Sequence, residues 1–146
     1  AQWNTGLQPF IRLDGSDLIK PRRGFNFVVL SPDTFKIIDK GNFFQNLWEG
    51  NIFSMIDFIE NIPTRSIVLM TYWDDSDCKM TEEIAASLLR FGGTVNPWTY
   101  KYGTYAVIGV KDAPPGSAIE QFDKKQVYVE NRMYGIGLQS IEINID

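Results

Sequence analysis

The hydrophobic pattern of the chain first predicts strands. Three nearly continuous apolar runs, at 25–30, 65–72 and 105–110, are typical of strands that are buried on both faces. The run at 10–13 ends at Asp14-Gly15, which favours a tight turn. A Ser-Pro-Asp-Thr turn at 31–34 predicts that 35–44 returns as an antiparallel partner. Two further β-prone stretches, at 126–130 and 138–145, end the chain.

Helical spacing appears between these runs. Asn51 is a candidate N-cap for a helix that Pro63 ends, and Thr81 is a candidate N-cap for a second. Gly92-Gly93 should end that second helix with a left-handed residue. Ser117 is predicted to cap a short third helix that runs through residue 122.

Together these elements predict an α+β domain with two twisted, largely antiparallel sheets flanked by two or three short helices. We expect one domain over residues 1–146. Six strand residues should lie side by side in the core, namely Val28, Leu30, Ile67, Leu69, Val107 and Ile108. Four helical residues should cover them, namely Ile56, Ile59, Leu88 and Phe91.

Composition removes several classes of function. The 146 residues carry a net charge of -4, which argues against a nucleic-acid partner, and the single basic cluster, Lys20-Pro21-Arg22-Arg23, is too short for a polyphosphate track. No apolar run is long enough for membrane insertion. The chain has no His and one cysteine, Cys78, so common catalytic pairs are absent. We expect no enzyme activity, no catalytic residue, no cofactor and no metal.

An acidic cluster and a set of aromatic residues are the candidate binding groups. Asp74 and Asp75 begin a cluster that could bind calcium, accept hydrogen bonds from sugar hydroxyls, or form a solvated loop. The aromatic candidates are Trp73, Trp98, Tyr100 and Tyr102, whose flat faces suit stacking on a pyranose ring or contact with a protein. We predict that both carboxylates share one exposed depression with at least one of these rings.

The order of several motifs resembles one family. These motifs are residues 24–30, Trp48-x-Gly50, Asp74-Asp75, Lys79-Met80-x-Glu82-Glu83, Gly92, the segment from Tyr105 to Gly109 with Lys111, and Ser117-x-x-Glu120-Gln121. Between residues 14 and 122 the chain is similar to the interleukin-like EMT inducer and pancreatic-derived factor family. That family also includes the stem domain of the protein O-mannose N-acetylglucosaminyltransferase.

The resemblance implies two twisted antiparallel sheets with short helices, extracellular or lumenal signalling for some members, and glycan recognition for the stem. Asp74 matches a position that looks like a sugar-contacting carboxylate. The chain departs from the family at 101–105, where Lys-Tyr-Gly-Thr-Tyr lacks the usual Arg and Asp, at Gly41, which replaces a basic residue, and in its missing paired cysteines. The sugar site of the stem is therefore not preserved whole.

Three functions remain open. The first is a non-catalytic module that binds a cell-surface glycan. The second is a structural or protein-interaction domain of a virion tail, decoration protein or other surface protein, and the third is a secreted signalling factor. The sequence does not decide the localisation; an extracellular or virion-associated place is the expectation, with a glycan or a surface protein as partner.

Overall fold

The computed structural model describes residues 9–43, 50–73, 81–94, 104–123, 127–134 and 138–145. Within these ranges the strands are β1 (Phe10–Leu13), β2 (Ser16–Ile19), β3 (Gly24–Leu30), β4 (Ile37–Phe43), β5 (Ile67–Trp73), β6 (Thr104–Val110), β7 (Ile119–Asp123), β8 (Val127–Tyr134) and β9 (Leu138–Ile145). The helices are α1 (Gly50–Glu60) and α2 (Glu82–Leu88), and a 3-10 turn at Leu89–Phe91 follows α2.

The strands form two antiparallel sheets. The smaller sheet has the order β2-β1-β9-β8, and the larger has the order β4-β3-β5-β6-β7. The hairpin between β1 and β2 turns at Asp14 and Gly15, whose φ angles of 50° and 81° suit a tight turn between twisted strands. Two sheets with short helices confirm the α+β class predicted from the sequence.

The larger sheet is the middle layer, with core on both faces. On one face Phe27, Val29 and Val107 pack with residues of α1 and α2. On the other face Val28 and Leu30 pack with the smaller sheet. This double burial explains why β3, β5 and β6 are nearly continuously apolar, since neither face of these strands meets water.

The prediction that four helical residues cover all six strand residues is wrong in part. All six strand residues are buried in neighbouring strands, as expected. However, five of them face the smaller sheet, and only Val107 shares a cluster with the helical residues Ile59, Leu88 and Phe91. The fourth helical residue, Ile56, is half-buried. Adjacent strand residues point to opposite faces, so Val107 and Ile108 cannot both face the helices.

Both ends of the second helix follow the sequence prediction. The Oγ1 of Thr81 accepts a hydrogen bond from the backbone N–H of Ile84 at 3.2 Å. Gly92 has a φ of +88° and ends the 3-10 turn, and a Cβ there would meet the side chain of Ser117. Gly109 on β6 lies against the backbone carbonyl of Phe91 with no room for a Cβ. These glycines let the end of the helix pack tightly on the sheet.

The helix predicted after Ser117 is wrong, because the chain there forms β7. The Oγ of Ser117 donates to the carbonyl of Pro114 at 2.7 Å, so this hydroxyl turns back instead of capping a helix. β7 pairs with β6 along its length, and the ring of Phe122 stacks on that of Tyr105 at 4.0 Å. Pairing with an available sheet edge outweighs the local capping preference of a segment this short.

Candidate functional site

The residues predicted to bind a ligand lie mostly outside the described part of the chain. Asp74, Asp75, Trp98, Tyr100 and Tyr102 all fall in undescribed segments. The backbone of Trp73 is described, and it is the last residue of β5, paired with Gly24 on β3 and with Thr104 on β6. Whether the carboxylates and the rings share one depression therefore stays a prediction.

A polar row crosses the larger sheet near this end of β5. Asn26 on β3 lies directly opposite Asn42 on β4 and Thr71 on β5. By strand alternation the row is on the face toward the smaller sheet, because Val28 and Leu30 on the same strand pack there. Three hydrogen-bonding side chains thus interrupt an otherwise apolar surface.

Asn26 is the centre of this row and uses all its hydrogen-bonding capacity. Its Nδ2 donates to the carbonyl of Arg22 at 2.6 Å and to Oγ1 of Thr71 at 3.0 Å. Its Oδ1 accepts from the backbone N–H of Arg22 at 3.0 Å and from Nδ2 of Asn42 at 2.9 Å. We name these four residues the Asn26 cluster. Since Asn26 is only 1% exposed, these bonds compensate for its burial and fix the chain leading into β3.

A pocket of about 320 Å³ opens beside the Asn26 cluster. We name it the basic pocket, and besides Asn26 it is lined by Ile19, Lys20, Arg22, Lys40, Gly41 and Asn42. Its volume lies at the lower end of the range of small-ligand sites, roughly 300–1,000 Å³. The lysine and arginine side chains are hydrogen-bond donors, and the side-chain oxygen of Asn42 is an acceptor. Such a set can bind a polar ligand.

Sequence reasoning did not assign the basic pocket. Lys20 and Arg22 belong to the basic cluster at 20–23, which is too short for a polyphosphate track. Lys40 and Asn42 join them through the pairing of β3 with β4. One signal was present in the sequence. Asn26 interrupts the apolar run at 25–30, and a buried amide in a strand needs partners on neighbouring strands.

A second buried polar group lies at the opposite end of the larger sheet. Lys111 follows β6 and is only 2% exposed. Its Nζ donates to three carbonyls at the end of α1, those of Ile59 at 2.8 Å, Glu60 at 3.2 Å and Ile62 at 2.7 Å. We name these four residues the Lys111 cluster. Burial lowers the pKa of Lys111, and the nearby Asp112 carboxylate partly opposes this effect.

An ion-pair network covers the Lys111 cluster from outside. The guanidinium of Arg90 contacts both carboxylate oxygens of Glu60, at 2.6 and 2.7 Å, and Oδ1 of Asp112 at 2.7 Å. Hydrogen bonds from Thr64 and then Arg90 lower the pKa of Asp112. The end of α1, the 3-10 turn and the chain after β6 are thereby joined. This arrangement is structural, because protein groups occupy its donors and acceptors.

Tyr105 and Glu120 form another internal contact. The hydroxyl of Tyr105 donates to Oε1 of Glu120 at 3.1 Å, and Oε2 of Glu120 accepts from the backbone N–H of Thr94 at 2.7 Å. Burial, followed by the charge of Glu120, raises the pKa of Tyr105 well above its usual value. The hydroxyl therefore stays protonated and holds β7 and the segment after the 3-10 turn against β6.

Two kinds of site are not found in the described ranges. No group of three or more Cys, Asp or Glu residues is placed there to hold a metal ion. No helix among the described residues is long and apolar enough to cross a membrane, the longer being α1 with 11 residues.

Comparison with known proteins identifies relatives. The sequence profile of the interleukin-like EMT inducer family matches residues 23–113. Protein FAM3C of Rattus norvegicus is 32% identical over 72 residues, which cover 49% of this chain and 31% of the rat protein. Protein FAM3D of Mus musculus is 26% identical over 102 residues, covering 70% of this chain and 45% of the mouse protein. Protein FAM3C of Xenopus laevis is 27% identical over 103 residues, covering 70% and 44%. The chain thus spans less than half the length of these relatives.

Proposed function

The chain belongs to the interleukin-like EMT inducer family, and on that premise we propose that it is a non-catalytic recognition domain that binds a glycan outside the cell. The observation that carries the proposal is the basic pocket, an open pocket of about 320 Å³ that is lined by cations and amides at one end of the larger sheet. Sugars are bound through several hydrogen bonds to hydroxyls, and side chains of this kind supply them.

The position of the pocket relates it to the residues predicted from the sequence. Thr71 is a member of the Asn26 cluster, and β5 ends at Trp73, two residues further on. The chain then continues into Asp74 and Asp75. Asp74 and Asp75 therefore follow, along the chain, the strand end nearest Thr71, and a part for them or for Trp73 in binding stays a prediction.

Asn42 supplies a group suited to a sugar hydroxyl. Its Nδ2 donates to Oδ1 of Asn26 at 2.9 Å and to the carbonyl of Phe25 at 3.3 Å, so both amide hydrogens are used. Its Oδ1 has no donor among the described residues and is an available acceptor. A fixed acceptor costs little ordering entropy when a ligand binds.

Glycan-array binding with the soluble domain tests this proposal, followed by isothermal titration calorimetry on any ligand found. Replacing Asn42 with Ala should weaken binding, while Asp33→Asn, in the exposed turn before β4, should leave it unchanged. If no neutral or acidic glycan binds, or if Asn42→Ala binds like the wild type, the proposal is wrong.

A protein-interaction role is the second candidate, and one observation favours it. β4 is an edge strand of the larger sheet, and its Ile37 and Ile38 are 40% and 49% exposed. An exposed apolar edge can pair with a strand of another protein. The relatives described above are vertebrate proteins and give no support to the alternative of a virion protein.

A further inference from the structure

The basic pocket differs in charge from the protein around it. The chain has a net charge of -4, yet Lys20, Arg22 and Lys40 line one cavity of about 320 Å³. All three side chains are exposed. Cations brought together on an acidic protein create a local positive potential, which attracts anions and not neutral molecules.

The cations of the pocket lack counter-ions within the described residues. None of the three has a carboxylate within 4 Å there, whereas Arg12 pairs with Asp17 at 2.7 Å and Arg90 pairs with Glu60 and Asp112. Asp17 is already used by Arg12. Asp39 is opposite Val29, on the helix-covered face of the sheet, and its Oδ1 accepts from the backbone N–H of Lys40. Within the described residues, no carboxylate lies within 4 Å of the three cations.

The backbone that carries these cations is fixed. Asn26 bonds both the N–H and the carbonyl of Arg22, at 3.0 and 2.6 Å, and its bond from Asn42 links the same point to β4. Lys40 lies two residues before Asn42 on that strand, so alternation places both on one face. Lys40 and Arg22 therefore extend from a preorganised frame, which lowers the entropic cost of binding.

From these observations we infer that the basic pocket binds the acidic group of a carboxylated or sulfated sugar. The inference rests on the proposed function and names the chemical class of its ligand. Arginine binds planar or tetrahedral oxyanions through two parallel hydrogen bonds, and lysine adds a point charge. Asn42 then accepts from a ring hydroxyl. The acidic group supplies the missing counter-ion, and the saccharide supplies the selectivity.

Calorimetric titration of the soluble domain with three tetrasaccharides tests this inference. One is heparin-derived and sulfated, one is an oligogalacturonate that carries only carboxylates, and one is neutral chitotetraose. We expect at least one acidic ligand to bind about tenfold or more tightly than the neutral one at about 50 mM salt, and to weaken strongly at about 300 mM. The two acidic ligands distinguish sulfate from carboxylate recognition.

Matched variants locate the site. Lys40→Gln and Arg22→Gln should each reduce the affinity for the acidic ligand by about threefold to tenfold or more, because each removes one charge. Lys36→Gln removes the same charge from an exposed position outside the pocket and should change the affinity by less than about twofold. An equal loss in all three variants would indicate diffuse attraction to the surface and would overturn the inference.

The remaining outcomes separate this inference from the proposed function. If chitotetraose binds as tightly as the acidic ligands and the pocket variants have no effect, glycan recognition stands, and the inference that the basic pocket binds an acidic group is wrong. If none of the three binds and the glycan array is also empty, both are wrong. Circular dichroism and thermal melts of each variant establish that the fold is intact.

Discussion

The two buried polar clusters of the larger sheet use their cations in opposite ways. In the Lys111 cluster the ammonium group is buried, and three backbone carbonyls take its hydrogen bonds. In the Asn26 cluster the buried group is a neutral amide, and the cations nearby are exposed and without carboxylate partners among the described residues. A cation whose donors are all used by the protein stabilises the fold, whereas exposed cations without partners are available to a ligand.

Among the variants that test the contrast between the two clusters, Lys111→Met should have the largest effect. The variant should lower the free energy of unfolding by about 3 kcal/mol, because three carbonyls at the end of α1 lose their donor in a buried place. Urea denaturation followed by tryptophan fluorescence measures the change. Lys36→Met, an exposed control, should cost less than about 0.5 kcal/mol. Similar results for both variants would mean that the Lys111 bonds do not stabilise the fold.

Asn26→Ala should have the next largest effect and lower the free energy of unfolding by about 2 kcal/mol. The substitution leaves the backbone groups of Arg22 without their partner and disconnects Thr71 from Asn42, while water entering from the adjacent pocket compensates in part. The same denaturation experiment measures this loss. Thr71→Val removes a single acceptor and should cost only about 1 kcal/mol. A larger loss for Thr71→Val than for Asn26→Ala would contradict the central place given to Asn26.

Acid titration sharpens the description of the network around Lys111. The folded pKa of Asp112 is lowered by Thr64 and Arg90, so the ionised carboxylate favours the folded state. Its contribution is present above the unfolded pKa, about 3.9, and is lost as the pH falls through the lower folded pKa. Stability measured in urea from pH 6 to pH 3 should therefore fall less steeply in Asp112→Asn. Identical slopes would mean that Asp112 titrates alike in both states.

The smallest expected effect is on the stability of the pocket variants. Lys40→Gln and Arg22→Gln should each change the free energy of unfolding by less than about 0.5 kcal/mol, because their charged groups are exposed and have no carboxylate partner among the described residues. Differential scanning calorimetry checks this. A loss above about 1 kcal/mol in either variant would give its cation a structural role and remove the contrast between the two clusters.

Local signals in the sequence were enough for most of the fold. The apolar runs predicted β3, β5 and β6, and capping residues predicted the ends of α2 and its 3-10 turn, including the left-handed Gly92. The segment after Ser117 was misassigned because its strand depends on a distant partner, β6, whereas a capping hydroxyl is a local signal. The packing of Val28 and Leu30 against the smaller sheet was likewise not predicted, because it depends on contacts with residues distant in the sequence.

The candidate site was less predictable for the same reason. Composition and residue type point to Asp74, Asp75 and the aromatic residues, which form two short clusters in the sequence, at 73–75 and at 98–102. The basic pocket combines Lys20 and Arg22 from the chain before β3 with Lys40 from β4, and the pairing of those strands brings them together. A charge cluster built by strand register has no signature in a single stretch of sequence.

The exposed edge at β4 has a consequence for handling the protein. Ile37 and Ile38 are exposed on a strand that lies at the edge of the larger sheet in the described part of the chain. Exposed apolar residues on an edge strand promote edge-to-edge aggregation, and Lys36, Asp39 and Lys40 flank them. These charges act as gatekeepers that keep separate molecules apart. Lys40 therefore contributes to solubility as well as lining the pocket, and its substitution should shorten the time a concentrated sample stays monodisperse.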